Sequence, residues 1–582
     1  MRRDGQSVFV EFPKQLMSTA RSSVSMGLEF GREIVNMYAT ADGAGSKRNG
    51  VVKVGEQLPL GQVVCGLFSF MKVGVGVQVI AVGSLGKVYR LNGTAWVEIG
   101  DGLNPLGVVR GVEFAGRLVL VNGYDPMKVW DGSTLADVSE VIPDVGGSLT
   151  YVNPTTFTIL SDAAFYSVGT VVKATLATGV VTGTVASSSQ SGAVTSVVLG
   201  SGVLNATLSA VAYTAKPPIL AGIAVAHDRV WGFGKGPLGS GLSTDVDRTR
   251  VYYTHGVNNP YAWRDAEGVV PSINLADKSA GADEVMAMAV VDGMTVFLLR
   301  NSVQVWTGST PGADGDFGWQ KTMPVGCVHG GLMVALPNDL AFVTRTGVRT
   351  LSRSLQTEQV HVSDVGSEID PTLAAAVRVL EADPAAYKAV GVVRCEAQNW
   401  FGVCLGDKTV VFQVGNSGRG WVVFDGAFAG TTARCAASDG SVYLAKGGQV
   451  YRYDTSVYAD DGEPIVTRWW TPWMRLGKPG KWWANRYVEV VSARGVPMGL
   501  RVRRYRNLDD GDGWVADITA QTEPDYWDRT DWDAGLFDNV NPAPDVVRDR
   551  FVADEMALAL ESANTLGPLT VLGMKIYGVS ER

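Results

Sequence analysis

The fold is decided by residues 438–454: Ser438-Asp439-Gly440-Ser441-Val442-Tyr443-Leu444-Ala445, then, after Lys446-Gly447, Gly448-Gln449-Val450-Tyr451-Arg452-Tyr453-Asp454. Side chains alternate between two faces along both runs, and Val and Tyr suit the pleated surface of a half-buried strand. Asp439-Gly440 supplies the positive φ that a tight turn needs. The stretch reads as turn, strand, turn, strand.

The same form recurs upstream. It begins at Val79-Ile80-Ala81-Val82-Gly83 and closes at Lys87-Val88-Tyr89-Arg90-Leu91-Asn92-Gly93 and Trp96-Val97-Glu98-Ile99. It returns at 114–132, ending in Lys128-Val129-Trp130-Asp131-Gly132, and at 226–254, opening with Ala226-His227-Asp228-Arg229-Val230-Trp231. Two further copies lie at 291–308, with Val303-Gln304-Val305-Trp306, and at 340–351. Repetition of a small antiparallel unit every ~40–50 residues is the pattern of propeller blades. The expected fold is mainly β: a β-propeller of about six blades, with an array of sandwiches as the competing architecture.

Two shifts in composition divide the chain. Residues 143–216 contain four charged residues (Asp144, Asp162, Lys173, Lys216) and no Trp, Arg, Cys or His, and are dominated by Thr, Ser, Val and Gly. This reads as a small β domain inserted between blades, either a packed accessory or a protein-docking surface. From 461 onward the chain becomes rich in Trp: eight of its 16 fall between 469 and 532. The expected organisation is an N-terminal arm (1–30), a first propeller part (31–142), the insert (143–216), a second propeller part (217–460) and a β-rich C-terminal domain (461–582). Helix is scarce; Asp370 as N-cap and Pro371 at the first position predict one over 371–382, stopped by Pro384.

Composition excludes several function classes. A formal charge of −8 argues against a basic nucleic-acid clamp. The opening residues turn polar before an apolar leader core can form, so no secretory signal is expected, and no apolar run of ~20 residues predicts a membrane span. Cys65, Cys327, Cys395, Cys404 and Cys435 are odd in number and irregular in spacing, which fits buried thiols in a reducing compartment rather than a disulfide framework or metal site. Four dispersed histidines offer no ligand pair. Neither a nucleophile elbow nor a phosphate-binding loop is present, so no enzyme activity and no cofactor are expected. Asp245 with Asp247, and Asp509, Asp510 and Asp512, are the acidic groups that merit a test as paired carboxylates. Both sets read better as solvated turns.

The tryptophans carry the one candidate site. Trp469, Trp470, Trp473, Trp482 and Trp483 include two adjacent pairs, and neighbours on a strand point to opposite faces. At least one ring of each pair is therefore expected outside its own domain's core. A subunit or partner interface, where Trp concentrates as an energetic anchor, is the leading reading over core packing and over stacking on sugars or bases.

The N-terminal passage Asn36-Met37-Tyr38, Asp42-Gly43, Lys47-Arg48-Asn49-Gly50 resembles the opening of short-tailed bacteriophage nozzle proteins. That family is also called tail tubular protein B or packaged-DNA stabilisation protein. Asn49 stands in place of the Pro expected before the final Gly. The passage His361–Leu373 is similar to the family's late-propeller segment leading into a short helix. Val185–Ser189 and Thr195–Val198 resemble modules common in phage tail proteins, as does Tyr526–Asp533. The resemblance implies a structural virion protein, made in the host cytoplasm and placed in the tail. Typically six copies of such proteins form a ring around the DNA channel, contacting the tail adaptor protein and tail fibres. The ring retains packaged double-stranded DNA and lets it pass at ejection without sequence-specific binding. Two other classes share the fold-level reading: a glycan-binding or glycan-cleaving propeller, and a scaffold propeller for protein partners.

Overall fold

In a computed structural model of the chain, described here are residues 6–144, 147–235, 248–265, 268–279, 281–312, 314–356, 364–414, 419–476, 482–493, 499–519, 545–547, 551–565 and 567–581. The protein is mainly β, and its strands follow the order of a β-propeller. Seven consecutive up-and-down sheets are found among the described residues. Blade 1 is Val64–Lys72, Gly76–Gly83, Val88–Asn92 and Ala95–Gly100; blade 2 runs from Arg110 to Asp137. Blade 3 spans 220–274, blade 4 spans 285–323, and blade 5 has three strands over 333–350. Blade 6 is Gly391–Cys395, Trp400–Cys404, Thr409–Val414 and Arg419–Phe424. Blade 7 takes three strands from 433–454 and its fourth, Gly50–Val54, from near the N-terminus. That fourth strand runs antiparallel to Gln449–Asp454, with Gly50 opposite Asp454 and Val54 opposite Val450.

The chain forms two compact units. One comprises Met1–Pro105, Ala289–Val305 and Gln320–Arg582; the other Leu106–Met288 and Trp306–Trp319.

In the first unit, blade 6 continues into the C-terminal domain. Its last strand pairs in parallel with Glu33–Val35, which lies beside Glu463–Trp470. That strand pairs with Met556–Asn564, which pairs with Gly499–Arg506. A second sheet centres on Trp482–Ala493 and Thr570–Glu581. Its edge strand is Gln6–Glu11, in register with Thr570–Glu581 from Gln6 opposite Gly578 to Glu11 opposite Gly573. Residues 1–30 are therefore not simply an arm: part of them completes the C-terminal sheet. The sheets meet over Val10, Phe12, Trp469, Trp483, Leu560 and Ile576, in a core continuous with that of blade 6.

In the second unit the insert is a seven-stranded sheet whose first and last strands in the chain, Glu140–Pro143 and Ala210–Ala215, pair with each other at its base. The long strand Gly179–Ser191 pairs with Val171–Leu176 through its first half and with Val194–Leu199 through its second. A register shift between Val185 and Ser187 bends it, so the sheet folds over a core of its own that includes Phe157, Tyr166, Val197 and Tyr213.

The helix expected at 371–382 runs Asp370–Ala382 and buries Leu373, Val377 and Leu380. Its cap differs from expectation. Ile369 holds the N-cap position, while Asp370 turns away to accept from the Arg349 guanidinium (2.7 Å) and the Val348 N–H (3.2 Å). Pro384 starts a further short helix, capped by Asp383, rather than only ending the first.

Candidate functional site

Of the passages on which the phage resemblance rests, one converges on a buried junction in the first unit: Asn36 and Lys47-Arg48-Asn49-Gly50. Asn36 sits between two short strands in the left-handed backbone region (φ 53°), which Asn tolerates better than most residues. Its amide donates to the Val466 carbonyl (2.7 Å), while its oxygen accepts from Arg48 Nε (2.8 Å) and the Asp425 N–H (2.8 Å). Arg48 is fully buried, and each of its five N–H groups has an acceptor. Nη1 donates to Asn49 O and Asp460 Oδ1, and Nη2 to Asp425 O and Asp460 Oδ2 (2.6 Å). The guanidinium also lies 4.9 Å from the Phe428 ring centroid. A buried cation is tolerable only with such pairing, and the planar fork of Arg matches a carboxylate edge-on.

Lys47, next to it, is buried and donates to Tyr458 O (3.0 Å), Asn564 O (3.1 Å) and Asn564 Oδ1 (2.7 Å). Burial, helped by the adjacent Arg48 charge and opposed by Asp460, pushes its ammonium down to about 8. Asn49 donates to Thr455 O (2.7 Å) and accepts from Gln398 Nε2 (2.6 Å), whose oxygen in turn accepts from Tyr453 Oη (2.7 Å). The Asn found in place of Pro thus makes side-chain contacts that Pro has no groups to make. Gly50 is required by closeness: a Cβ there would sit 1.9 Å from the Ala459 carbonyl oxygen. The motif pins the N-terminal strands to blade 6, blade 7 and the C-terminal domain at one point.

The five tryptophans separate. Trp469 and Trp483 are buried in the sandwich core, Trp469 edge-on to Phe12 at 5.3 Å, and Trp473 is buried against Tyr505, Ala557 and Ala559. These three pack within their own chain, a correction to their reading as interface residues. Trp470 is half-buried, stacked on Tyr505 at 5.0 Å with the Arg32 guanidinium 4.2 Å from its centroid. Trp482 is 48% exposed. It shares the outward face of its sheet with the stacked pair Tyr487–Tyr577, whose centroids are 4.2 Å apart, and with the half-exposed Phe9.

Of the acidic candidates, Asp510 is engaged by both ends of the Arg32 guanidinium, which lowers its carboxyl below the usual range. Asp509 accepts from the Gly511 N–H in a hairpin turn. Asp245 and Asp247 lie outside the described residues, as do the side chain of Asp512, residues 361–363 and the passage 526–533. Among the described residues no group of three His, Cys, Asp or Glu is placed to hold a metal. No described helix is long and apolar enough to cross a membrane.

No family model matches the chain, and no curated protein sequence matches it. Among solved structures it is similar to BamB from Moraxella catarrhalis at 10% identity, covering 77% of this chain and 95% of that one (TM-score 0.31). It is similar to the WD40 β-propeller domain of Doa1 at 9% identity (70% and 97%, TM-score 0.32). A streptogramin B lyase is similar at 11% identity (68% and 95%, TM-score 0.32). The fold class rests on the strand order above, not on these likenesses.

Sequence reasoning singled out Lys47-Arg48-Asn49-Gly50 by resemblance alone and missed Asp460 and Asp425, their partners. Asp460-Asp461-Gly462 reads as an ordinary turn, and no local signal marks it as the counter-charge of an Arg some 400 residues away.

Proposed function

We propose that this chain is a structural subunit of a short phage tail, a nozzle propeller that surrounds the DNA channel in several copies. The observation that supports it best is the nature of the Asn36–Gly50 motif. Its polar groups are spent on one another and on Asp425, Thr455, Tyr458, Asp460 and Asn564, inside the fold. A motif used this way does mechanical work: it ties the chain's beginning to the last blade and the C-terminal domain. Such a tie suits a part that must hold against the pressure of packaged DNA. Charge is compatible with the role. Six copies at −8 each total −48, and a wall of the same sign as DNA lets it slide rather than grips it.

The test is quantitative mass spectrometry of density-banded virus particles from the source culture, scaled to the major capsid protein. The expected result is a small fixed copy number, of the order of a closed ring. Recovery of the protein only from cells or medium, with none in particles, overturns the reading and turns attention to glycan binding and scaffolding.

A further inference from the structure

The second sheet of the C-terminal domain carries a strip of aromatic rings on the face turned away from its core. Val10, Val488 and Ile576 pack inward. The alternate residues of the same three strands, Gln6–Glu11, Trp482–Ala493 and Thr570–Glu581, face outward. In one outward row Phe9, Lys575 and Glu489 lie side by side, and in the next Tyr577 lies beside Tyr487. Trp482 stands further along, opposite Glu581. Lys575 and Glu581 are six residues apart, so the strip runs for about 20 Å at the rise of a strand.

The rings are presented rather than packed away. Phe9 is 46% exposed and Trp482 48%. Phe9 lies across the neighbouring strand over Gly573, where a Cβ would meet its ring at 2.7 Å, so glycine lets the ring lie down. Tyr487 and Tyr577 are half-buried and stacked, with 26° between their planes. Between this pair and Trp482 the face drops to the shorter Ala484 and Val579. Tyr and Trp have few rotamers to lose, so a ligand orders them at little entropic cost.

Charge is set among the rings. The Lys575 ammonium lies 4.8 Å from the Tyr577 ring centroid, and Glu489 is opposite Lys575 across the ladder. Partial burial, opposed by Lys575 and helped by Glu489, raises the Tyr577 hydroxyl above its ordinary pKa, which puts both charges beside it. This combination discriminates between ligands. The centre of a protein–protein interface is depleted of charged residues, whereas here they stand between the rings. A nucleic-acid single strand needs a basic groove along its backbone, and here the one cation is matched by an anion. A polysaccharide needs what is present. Its sugar rings are apolar on their C–H faces, which lie on aromatic faces, and hydroxylated at their edges. A carboxylate, an ammonium and a phenol all hydrogen-bond those hydroxyls.

We propose that this strip binds an extended, neutral polysaccharide, stacked on Trp482 and Phe9 and hydrogen-bonded between them by Glu489, Lys575 and the Tyr577 hydroxyl. An open strip, unlike a pocket, takes an internal stretch of a chain and not a chain end. The paired opposite charges favour a glycan without net charge. The site lies in the C-terminal domain, outside the propeller blades, and the inference does not rest on the tail reading.

The test is affinity electrophoresis of the full chain through native gels containing dextran, galactomannan, xylan or hydroxyethylcellulose. At least one of the four is expected to retard the wild type. Trp482→Ala is expected to weaken that binding about tenfold, the scale of losing one stacking ring. Glu489→Gln is expected to weaken it by about the same factor, the scale of one charge-assisted hydrogen bond. Neither variant should move the melting temperature. Trp319→Ala, which removes a 44%-exposed tryptophan of blade 4, is the control expected to bind as wild type. No retardation by any of the four overturns the proposal, as does retardation that Trp482→Ala leaves unchanged. An equal loss in Trp319→Ala also overturns it, since exposed indoles anywhere would then suffice. Self-association of the chain that Trp482→Ala and Glu489→Gln abolish assigns the strip to protein contacts and overturns it likewise. Counting the protein in virus particles tests the tail reading separately, and neither result moves the other.

Discussion

Arg48 and Lys47 are adjacent buried cations held in opposite ways, and their variants should behave differently. Arg48 has the Asp460 carboxylate; Lys47 is held by Tyr458 and Asn564 oxygens. Asp460→Ala strands the guanidinium, so a loss of about 3–5 kcal/mol is expected, read as a lower urea midpoint at unchanged slope. Arg48→Lys is expected to cost a comparable amount, because three donors on one nitrogen cannot serve acceptors spread over Asn36, Asn49, Asp425 and Asp460. Lys47 gives a pH effect with a definite sign. Its folded pKa, about 8, lies below the ordinary 10.5. Between these values the unfolded chain holds the proton that the folded chain has lost, so this group's contribution to stability rises with pH. The stability difference between wild type and Lys47→Met should therefore shift in favour of wild type from pH 8 to 10. A flat difference would mean that the ammonium is not desolvated. Trp482 and Trp483 divide on burial: Trp483→Ala should cost about 3–5 kcal/mol and Trp482→Ala within about 0.5, by paired thermal melts.

The fourth strand of blade 7 is the element on which chain closure depends, and Gly50 is its tightest position. A methyl group there meets the Ala459 carbonyl at 1.9 Å and cannot be relieved by a side-chain rotation, because the obstacle is backbone. Gly50→Ala should displace Gly50–Val54 from Gln449–Asp454 and speed amide exchange along both strands, while the internal strands of blade 1 keep their protection. This element also shows what the sequence could and could not reveal. Hairpins marked by Asp439-Gly440 or Asn92-Gly93 were legible because the signal and the structure it dictates are adjacent. Blade 6 was not recognised as a repeat. Its turns run through Gln398-Asn399 and Gly406-Asp407, without an Asn-Gly or Asp-Gly pair, although Asn399 and Gly406 do take positive φ. The pairing of Gly50 with Asp454, or of Gln6–Glu11 with the last strand, had no local mark at all, since alternation says that a segment is a strand but not whose neighbour it is. The tryptophan pairs lay between these limits. Alternation required the rings of Trp469-Trp470 and of Trp482-Trp483 to part, as they do, but only packing chose Trp469 and Trp483 for the core. Trp473, lacking an adjacent partner, gave no such clue.

At the scale of the molecule, the insert behaves in the chain as a removable part. The buried residues of its core run from Phe157 to Tyr213, with Ile142, Leu149, Tyr151 and Ala215 packed against them, and it enters and leaves through strands that pair with each other. Pro143 and Ala212 face one another in that ladder, so their Cα atoms are about 5 Å apart, a gap that a two-residue hairpin turn spans. Below the junction, Lys216 pairs with Asp137 (2.9 Å), and Glu140 accepts from the backbone N–H groups of Trp263 and Arg264, so the base is fixed to blades 2 and 3 independently of what lies beyond it. Replacing residues 144–211 by Asn-Gly should therefore leave a folded protein. The expected readout is an unchanged near-ultraviolet dichroism of the remaining tryptophans, all of which lie outside the deleted segment, and a melting temperature within a few degrees of wild type. Loss of the cooperative transition would mean that the insert stabilises the propeller it interrupts.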